Sequence, residues 1–155
     1  MPHIVQISVN HKGGVPKHRI GQTHLKTEGV EGDKQRDRRF HGGPERAVCL
    51  FSYERIQELQ DEGHPIDCGT TGENLTIAGL NWDEIVPGVR LQIGEALLQI
   101  TSYTTPCSNI AASFTDGEFK RISQKLHLGW SRLYARVLQE GLVQEGDAVQ
   151  LIPSR

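Results

Sequence analysis

No run of apolar residues in this sequence approaches the roughly 18 needed for a helix to cross a bilayer, so no membrane span is expected. The first residues, from Met1 to Val5, place no basic stretch ahead of an apolar one. A secretory leader is therefore not expected, and the expected location is the cytoplasm. Cysteine is scarce: Cys49, Cys68 and Cys107 are odd in number and widely spaced, which suits reduced thiols rather than a disulfide framework. Charge of either sign is not in large excess. A formal net charge of -2 argues against a chain built to coat nucleic acid or an anionic membrane, so any anion site has to be local. The seven histidines form no His-Glu-x-x-His and no His-x-His, and no Cys-x-x-Cys occurs. A tetrahedral zinc site would need ligands drawn from scattered loops, and scattered surface histidines are the simpler reading.

What is present in quantity is glycine. The 17 glycines are spread along 155 residues between short apolar runs, a pattern of many turns that favours β structure in one domain, residues 1–155. Ile4 to Val9 reads as a first strand, broken by a loop with Lys12, Gly13, Gly14 and Lys17. Arg46 to Phe51 is a continuous apolar run of strand length, expected to be buried on both faces. Ser52 then caps a helix carrying Ile56 and Leu59, which ends at Gly63 and Pro65. Leu75 to Ile77 is a short strand, and 89–93 with 96–101 forms a hairpin around Gly94 and Glu95, the Gly-first turn of type II′. Residues 132–138 and 148–152 are expected to pair as two further strands. A second helix is expected over 117–126, with Phe119, Ile122 and Leu126 on one face. The fold class is mainly β: a closed or nearly closed barrel with two or three helical insertions.

Three segments carry candidate chemistry. Cys49 lies inside the apolar run and reads as a small core hydrophobe, and Cys68 beside Gly69 reads as a partly buried loop thiol. Cys107 differs, because Pro106 fixes the chain just before it at a strand end. Thr104, Thr105, Ser108 and Asn109 surround it with the donors a thiolate needs. Cys107 is thus either a functional thiol or a capped loop cysteine. The second segment, Lys34 to Arg46, holds five basic and two acidic residues, a local charge of +3. Gly42 and Gly43 permit close approach of backbone N–H groups to an anion, and Arg38, Arg39 and Arg46 offer paired donors for phosphate. A solvated charged loop is the plain alternative. Gly72, Glu73 and Asn74 form the third segment, where turn chemistry competes with ligand orientation.

Taken in order, these segments resemble the MOSC domain, the fold named for the C-terminal part of molybdenum cofactor sulfurases. The matching pieces are Gly32 and Asp33; the run from His41 through Gly42, Gly43 and Pro44 to Arg46; Gly72 to Leu75; Gly88 to Gly94; Pro106 with Cys107; and Gly146 with Asp147. The likeness runs from about residue 4 to 152, and its type is the stand-alone bacterial one, whose members continue into a helical tail where this chain stops at Arg155.

The resemblance implies a β-barrel that binds the molybdenum–pterin cofactor (molybdopterin), with Cys107 as the thiolate ligand of the metal. It also implies a phosphate pocket from Arg39, His41, Gly42, Gly43 and Arg46, with Lys12 from the first loop. Asn74 and Thr105 would contact the pterin or hold the cysteine loop. The implied activity is reduction of N-hydroxylated compounds such as hydroxylamino-purines or amidoximes. No iron–sulfur or flavin motif is visible, so a separate electron-donor protein is expected; no pyridoxal-phosphate domain is visible either. Two other readings stand beside it: a carrier holding a persulfide or cofactor on Cys107, and a non-catalytic module binding nucleotides or other anions. Phe40 is the one aromatic residue in the basic loop, which argues against stacking on single-stranded nucleic acid.

Overall fold

The computed structural model describes residues 1–34 and 43–154. It begins on the expected strand, His3–Val9 (β1), which buries Ile4, Ile7 and Val9. Three short strands follow: His18–Arg19 (β2), Gln22–Lys26 (β3) and Gly29–Val30 (β4). The apolar run becomes a 3-10 turn at Pro44–Arg46 and the strand Val48–Ser52 (β5), in which every residue is buried. Ser52 then caps the helix Tyr53–Asp61 (α1), its Oγ accepting the Arg55 N–H at 3.2 Å. Ile56 and Leu59 face the core, and Gly63 turns the chain out at φ +100°. Leu75–Ala78 (β6) returns parallel to β5, so β5, α1 and β6 form a β-α-β unit.

The hairpin is as expected. Arg90–Ile93 (β7) and Ala96–Tyr103 (β8) pair with Ile93 opposite Ala96, leaving Gly94 and Glu95 as the turn. Gly94 has φ +53° and Glu95 has a negative φ, the pattern of a Gly-first type II′ turn. The remaining strands are Leu133–Gln139 (β9), Gly141–Gln144 (β10) and Val149–Ile152 (β11).

Eight strands form one sheet in the order β11-β7-β8-β9-β5-β6-β1-β2, and β10, β3 and β4 form a second. The mainly β expectation holds. The large sheet is not closed by a continuous ladder, however: β11 and β1 meet only near the isolated bridge His3↔Ala148, with Ile4 N–H donating to the Asp147 carbonyl at 3.0 Å. Two sequence expectations fail here. β9 and β11 are not neighbours, because β9 lies between β8 and β5 while β11 pairs with β7. β10 leaves that sheet to pair with β3, so the chain between β9 and β11 is not a simple turn.

The helix expected over 117–126 is also absent. Asp116 and Gly117 sit at positive φ, a 3-10 turn covers Phe119–Ile122, and Ser123 returns to extended backbone. Ile122 is fully buried, but Leu126 is 59% exposed, so the assumed apolar face does not exist as one surface. Arg121 helps fix this geometry, bridging to Glu62 at 2.7 Å and lying 4.0 Å above the Trp130 ring.

Candidate functional site

The starts of β5, β6 and β9 converge with the loop after β8 on a cavity of about 750 Å³. Cys107 is on its wall, half-buried, in extended backbone just before the 3-10 turn Ser108–Ser113. Two contacts anchor its loop. Thr104 N–H donates to the Arg132 carbonyl at 2.9 Å, and Cys107 accepts the Ile110 N–H at 3.2 Å. Thr104 is buried, whereas Thr105 sits exposed on the cavity rim. The strand pairing sets Cys49 of β5 opposite Tyr134 of β9, and both also line the cavity.

Another part of the wall is built by the turn from Gly69 to Asn74. Gly69 and Gly72 have φ of +82° and +90°, and a Cβ on Gly72 would meet Val15 Cγ1 at 2.9 Å. A Cβ on Gly69 would meet the Lys17 carbonyl at 2.7 Å. Glycine at these positions lets the loop carrying Val15 and Lys17 close against the turn.

Glu73 points back into this turn rather than into the cavity. It is fully buried and accepts hydrogen bonds from Gly69 N–H at 3.0 Å, Thr71 Oγ1 at 3.1 Å and Thr76 Oγ1 at 2.9 Å. Burial raises its pKa above the ordinary carboxylate value, and the three donors only partly offset that. A raised carboxyl pKa means the folded state binds its proton more tightly than the unfolded one. This contribution to stability is therefore greatest at low pH and is lost as pH rises from the unfolded value towards the folded one. Glu73→Gln should remove the loss: its urea midpoint relative to the parent should rise as pH rises above the ordinary carboxylate range. A difference that stays constant with pH would contradict the assignment.

Asn74 is likewise occupied by protein. Its Oδ1 accepts the Cys49 N–H at 3.0 Å, and its Nδ2 donates to the Ser8 carbonyl at 3.1 Å and to Asp33 Oδ2 at 2.9 Å. Asp33 also accepts Lys17 Nζ at 2.5 Å and the Asn10 N–H at 2.8 Å. This chain of contacts sets Lys17 on the cavity wall. Lys34 and Arg46 are on the wall too, with the Arg46 guanidinium 5.4 Å from the Tyr134 ring centre. With Arg132, four cations and the single carboxylate of Asp33 line the cavity among the described residues. An electropositive, half-enclosed space of this size suits an anionic small molecule.

The three thiols differ sharply. Cys49 is buried, and burial raises its pKa. Cys68 is half-buried with its pKa pushed up to about 11, by burial first and then by Glu73 and Asp67. At about pH 8 a thiol of that pKa is ionised in only about one molecule in a thousand. A disulfide reagent at that pH should therefore modify one thiol per native chain quickly, Cys107, and all three after denaturation. Fast modification of two or more thiols in the native chain would contradict this.

Of the residues expected from sequence, the cavity gathers Arg46, Asn74, Thr105 and Cys107. Lys12 is exposed and absent from the wall, where Lys17 of the same loop stands instead. Gly43 has the expected positive φ, +87°, but begins the 3-10 turn away from the lining. Arg38, Arg39, His41 and Gly42 lie outside the described residues. Sequence reasoning did not single out Lys17, Arg132 or Tyr134. Tyr134 lies in β9 and Arg132 just before it, and nothing in the neighbouring sequence marks either for the cavity.

The model of the MOSC domain family matches residues 37–150. The Bacillus subtilis (strain 168) protein YflK is 33% identical over 129 residues, 83% of this chain and 58% of that protein. The Escherichia coli (strain K12) protein YiiM is 29% identical over 137 residues, 85% of this chain and 60% of YiiM. The chain thus spans about three-fifths of the length of these curated relatives. The crystal structure of YiiM from Geobacillus stearothermophilus superposes with a TM-score of 0.76 at 26% identity, over 98% of this chain and 75% of that one. Family model, relatives and fold agree: the chain belongs to the MOSC domain family.

Proposed function

We propose that this chain binds the molybdenum–pterin cofactor in the cavity, with Cys107 as the protein's ligand to the metal, and reduces N-hydroxylated compounds. The observation that carries this reading is the coincidence of a half-buried thiol with an excess of cations in one cavity of about 750 Å³. The residues suit the group on chemical grounds. A thiolate is a soft donor of the kind a sulfur-rich metal centre accepts. The cations answer an anionic phosphate tail, and the missing Cβ of Gly72 leaves the turn low beside Val15.

Bound there, the cofactor supplies two-electron oxygen-transfer chemistry. Reduction of an N–OH group to N–H consumes two electrons and two protons and releases water. The electrons come from a separate donor protein in this reading. The chain's own residues position and protonate. Cys107 is held by the Thr104 and Ile110 contacts, and Lys17 and Arg46 bind anionic groups. Tyr134, its pKa pushed up to about 12 by burial and then by Cys49, keeps its phenolic proton at neutral pH and presents it on the wall.

The test is turnover. Protein made in a cofactor-producing host and supplied with a chemical reductant should convert benzamidoxime or a hydroxylaminopurine to the amidine or amine. If the loaded protein shows no turnover but Cys107 takes up labelled sulfur, the carrier role stands and the reductase role falls.

A further inference from the structure

The chain after Cys107 is a strap of three short 3-10 turns, Ser108–Ser113, Thr115–Gly117 and Phe119–Ile122. Such turns make few hydrogen bonds of their own, so outside ties must hold the strap in place. Ile110, Phe114 and Ile122 bury its apolar side. Ser113 Oγ donates to Thr70 Oγ1 at 2.9 Å. The end of α1 receives the other ties. Thr115 Oγ1 donates to the Gly63 carbonyl at 2.9 Å, Thr115 N–H to His64 Nδ1 at 3.0 Å, and Arg121 to both Glu62 oxygens.

The helix end fixes where His64 stands. Gly63 at φ +100° lets its N–H reach the Gln60 carbonyl and the His64 N–H reach that of Leu59, the hydrogen-bond pair of a Schellman end. The imidazole is 10% exposed and stands edge-on to Phe114, with ring centres 5.4 Å apart. A ring nitrogen that accepts a backbone N–H carries no proton, so Nδ1 is bare and the ring's proton is on Nε2. Nε2 lies 3.4 Å from Glu62 Oε1, and Arg121 from the third turn bridges Glu62 in its turn. The first two turns face the ring with the uncharged Phe114 side chain and Thr115 N–H.

A second proton on the ring goes to Nδ1 and makes it a donor, pointed at the Thr115 N–H. That hydrogen bond is then lost and two donors confront each other. Glu62 favours the cation, so the proton is accommodated by breaking the Thr115 contact and not the Glu62 one. The strap begins on Cys107, whose carbonyl accepts the Ile110 N–H at 3.2 Å, and Asn109 and Ile110 line the cavity beside it. Movement of the strap therefore moves the wall next to the thiol.

We propose that His64 is a pH-sensitive clasp. Neutral, it holds the strap against the cavity wall; protonated, it lets the strap go and exposes Cys107. The device rests on the strap and on the thiol's place in the wall, not on the proposed activity.

The experiment uses the full chain without cofactor. Cys107 is modified with an excess of an aromatic disulfide reagent from about pH 8 to about pH 5, in the parent and in His64→Asn. Asparagine keeps an acceptor for the Thr115 N–H throughout that range. Dividing the parent rate by the variant rate removes the titration of the thiol itself. The quotient should be about one at about pH 8 and rise to about fivefold at about pH 5, the equivalent of one lost hydrogen bond. A quotient that stays level or falls would overturn the clasp. Amide exchange in the parent alone gives a second reading, should the variant not fold. After correction for intrinsic rates, the Thr115 N–H should lose protection between those limits while the amides of β5 keep theirs. Unchanged protection at Thr115 would overturn the proposal as well. No cofactor enters either measurement, so the clasp and the reductase reading can fail separately.

Discussion

Asn74→Leu should destabilise the chain by about 3 kcal/mol, seen as a lower urea midpoint with an unchanged slope. The residue is 2% exposed, and three of the four hydrogen bonds its amide can make go to three different segments. Leucine has a similar volume, so no large cavity opens. The loss comes instead from groups left without partners: the Cys49 N–H on β5 and the Ser8 carbonyl on β1, both served by the Asn74 amide. Each such buried group costs about 1–3 kcal/mol, which is why the effect exceeds that of an ordinary surface change. Asp33 also loses the Nδ2 donor that steadies it against Lys17. The cavity wall should loosen along with the core. A change below about 0.5 kcal/mol would show that the amide is not the crosslink described.

The second large effect is on chemistry. Cys107→Ala should lower turnover of an N-hydroxylated substrate by more than about a hundredfold, since even residues that only support a metal ligand cost about 10–100-fold when changed. Cys107→Ser should not rescue it, because a hydroxyl is a hard donor and stays protonated at neutral pH. Neither variant should unfold the chain. Cys107 is half-buried, and its loop is held by backbone contacts at Thr104 and Ile110 that do not involve the thiol. Equal turnover in parent and Cys107→Ala would remove the thiol from the reaction.

The sequence carried local structure well wherever one segment decides its own fate. The fully buried strand β5, the Ser52 cap of α1 and the Gly94 turn are set by neighbouring residues. What could not be read depends on distant partners. Two-residue strands such as β2 and β4 have too few residues to show a period, and β10 pairs with β3 more than a hundred residues away. The helix expected over 117–126 gave way to long-range contacts of Arg121 with Glu62 and Trp130.

The candidate site follows the same rule. Cys107 was legible because Pro106 and a strand end mark it within a few residues. Lys12 and Lys17 are indistinguishable in sequence, and only the packing of their loop on Gly69 and Gly72 selects Lys17 for the wall. Asn74 lines the cavity and is also a crosslink between strands, a role that no neighbouring residue announces. Arg132 gave no local warning, because an arginine at the head of a strand is ordinary until the cavity in front of it is seen.

The measurement that bears most directly on the account is metal content. Parent chain and Cys107→Ala are purified without oxygen from a cofactor-producing host, and molybdenum is counted per chain. The account predicts close to one molybdenum per chain in the parent and nearly none in the variant. Equal molybdenum in both, or none in either, would contradict Cys107 as the ligand.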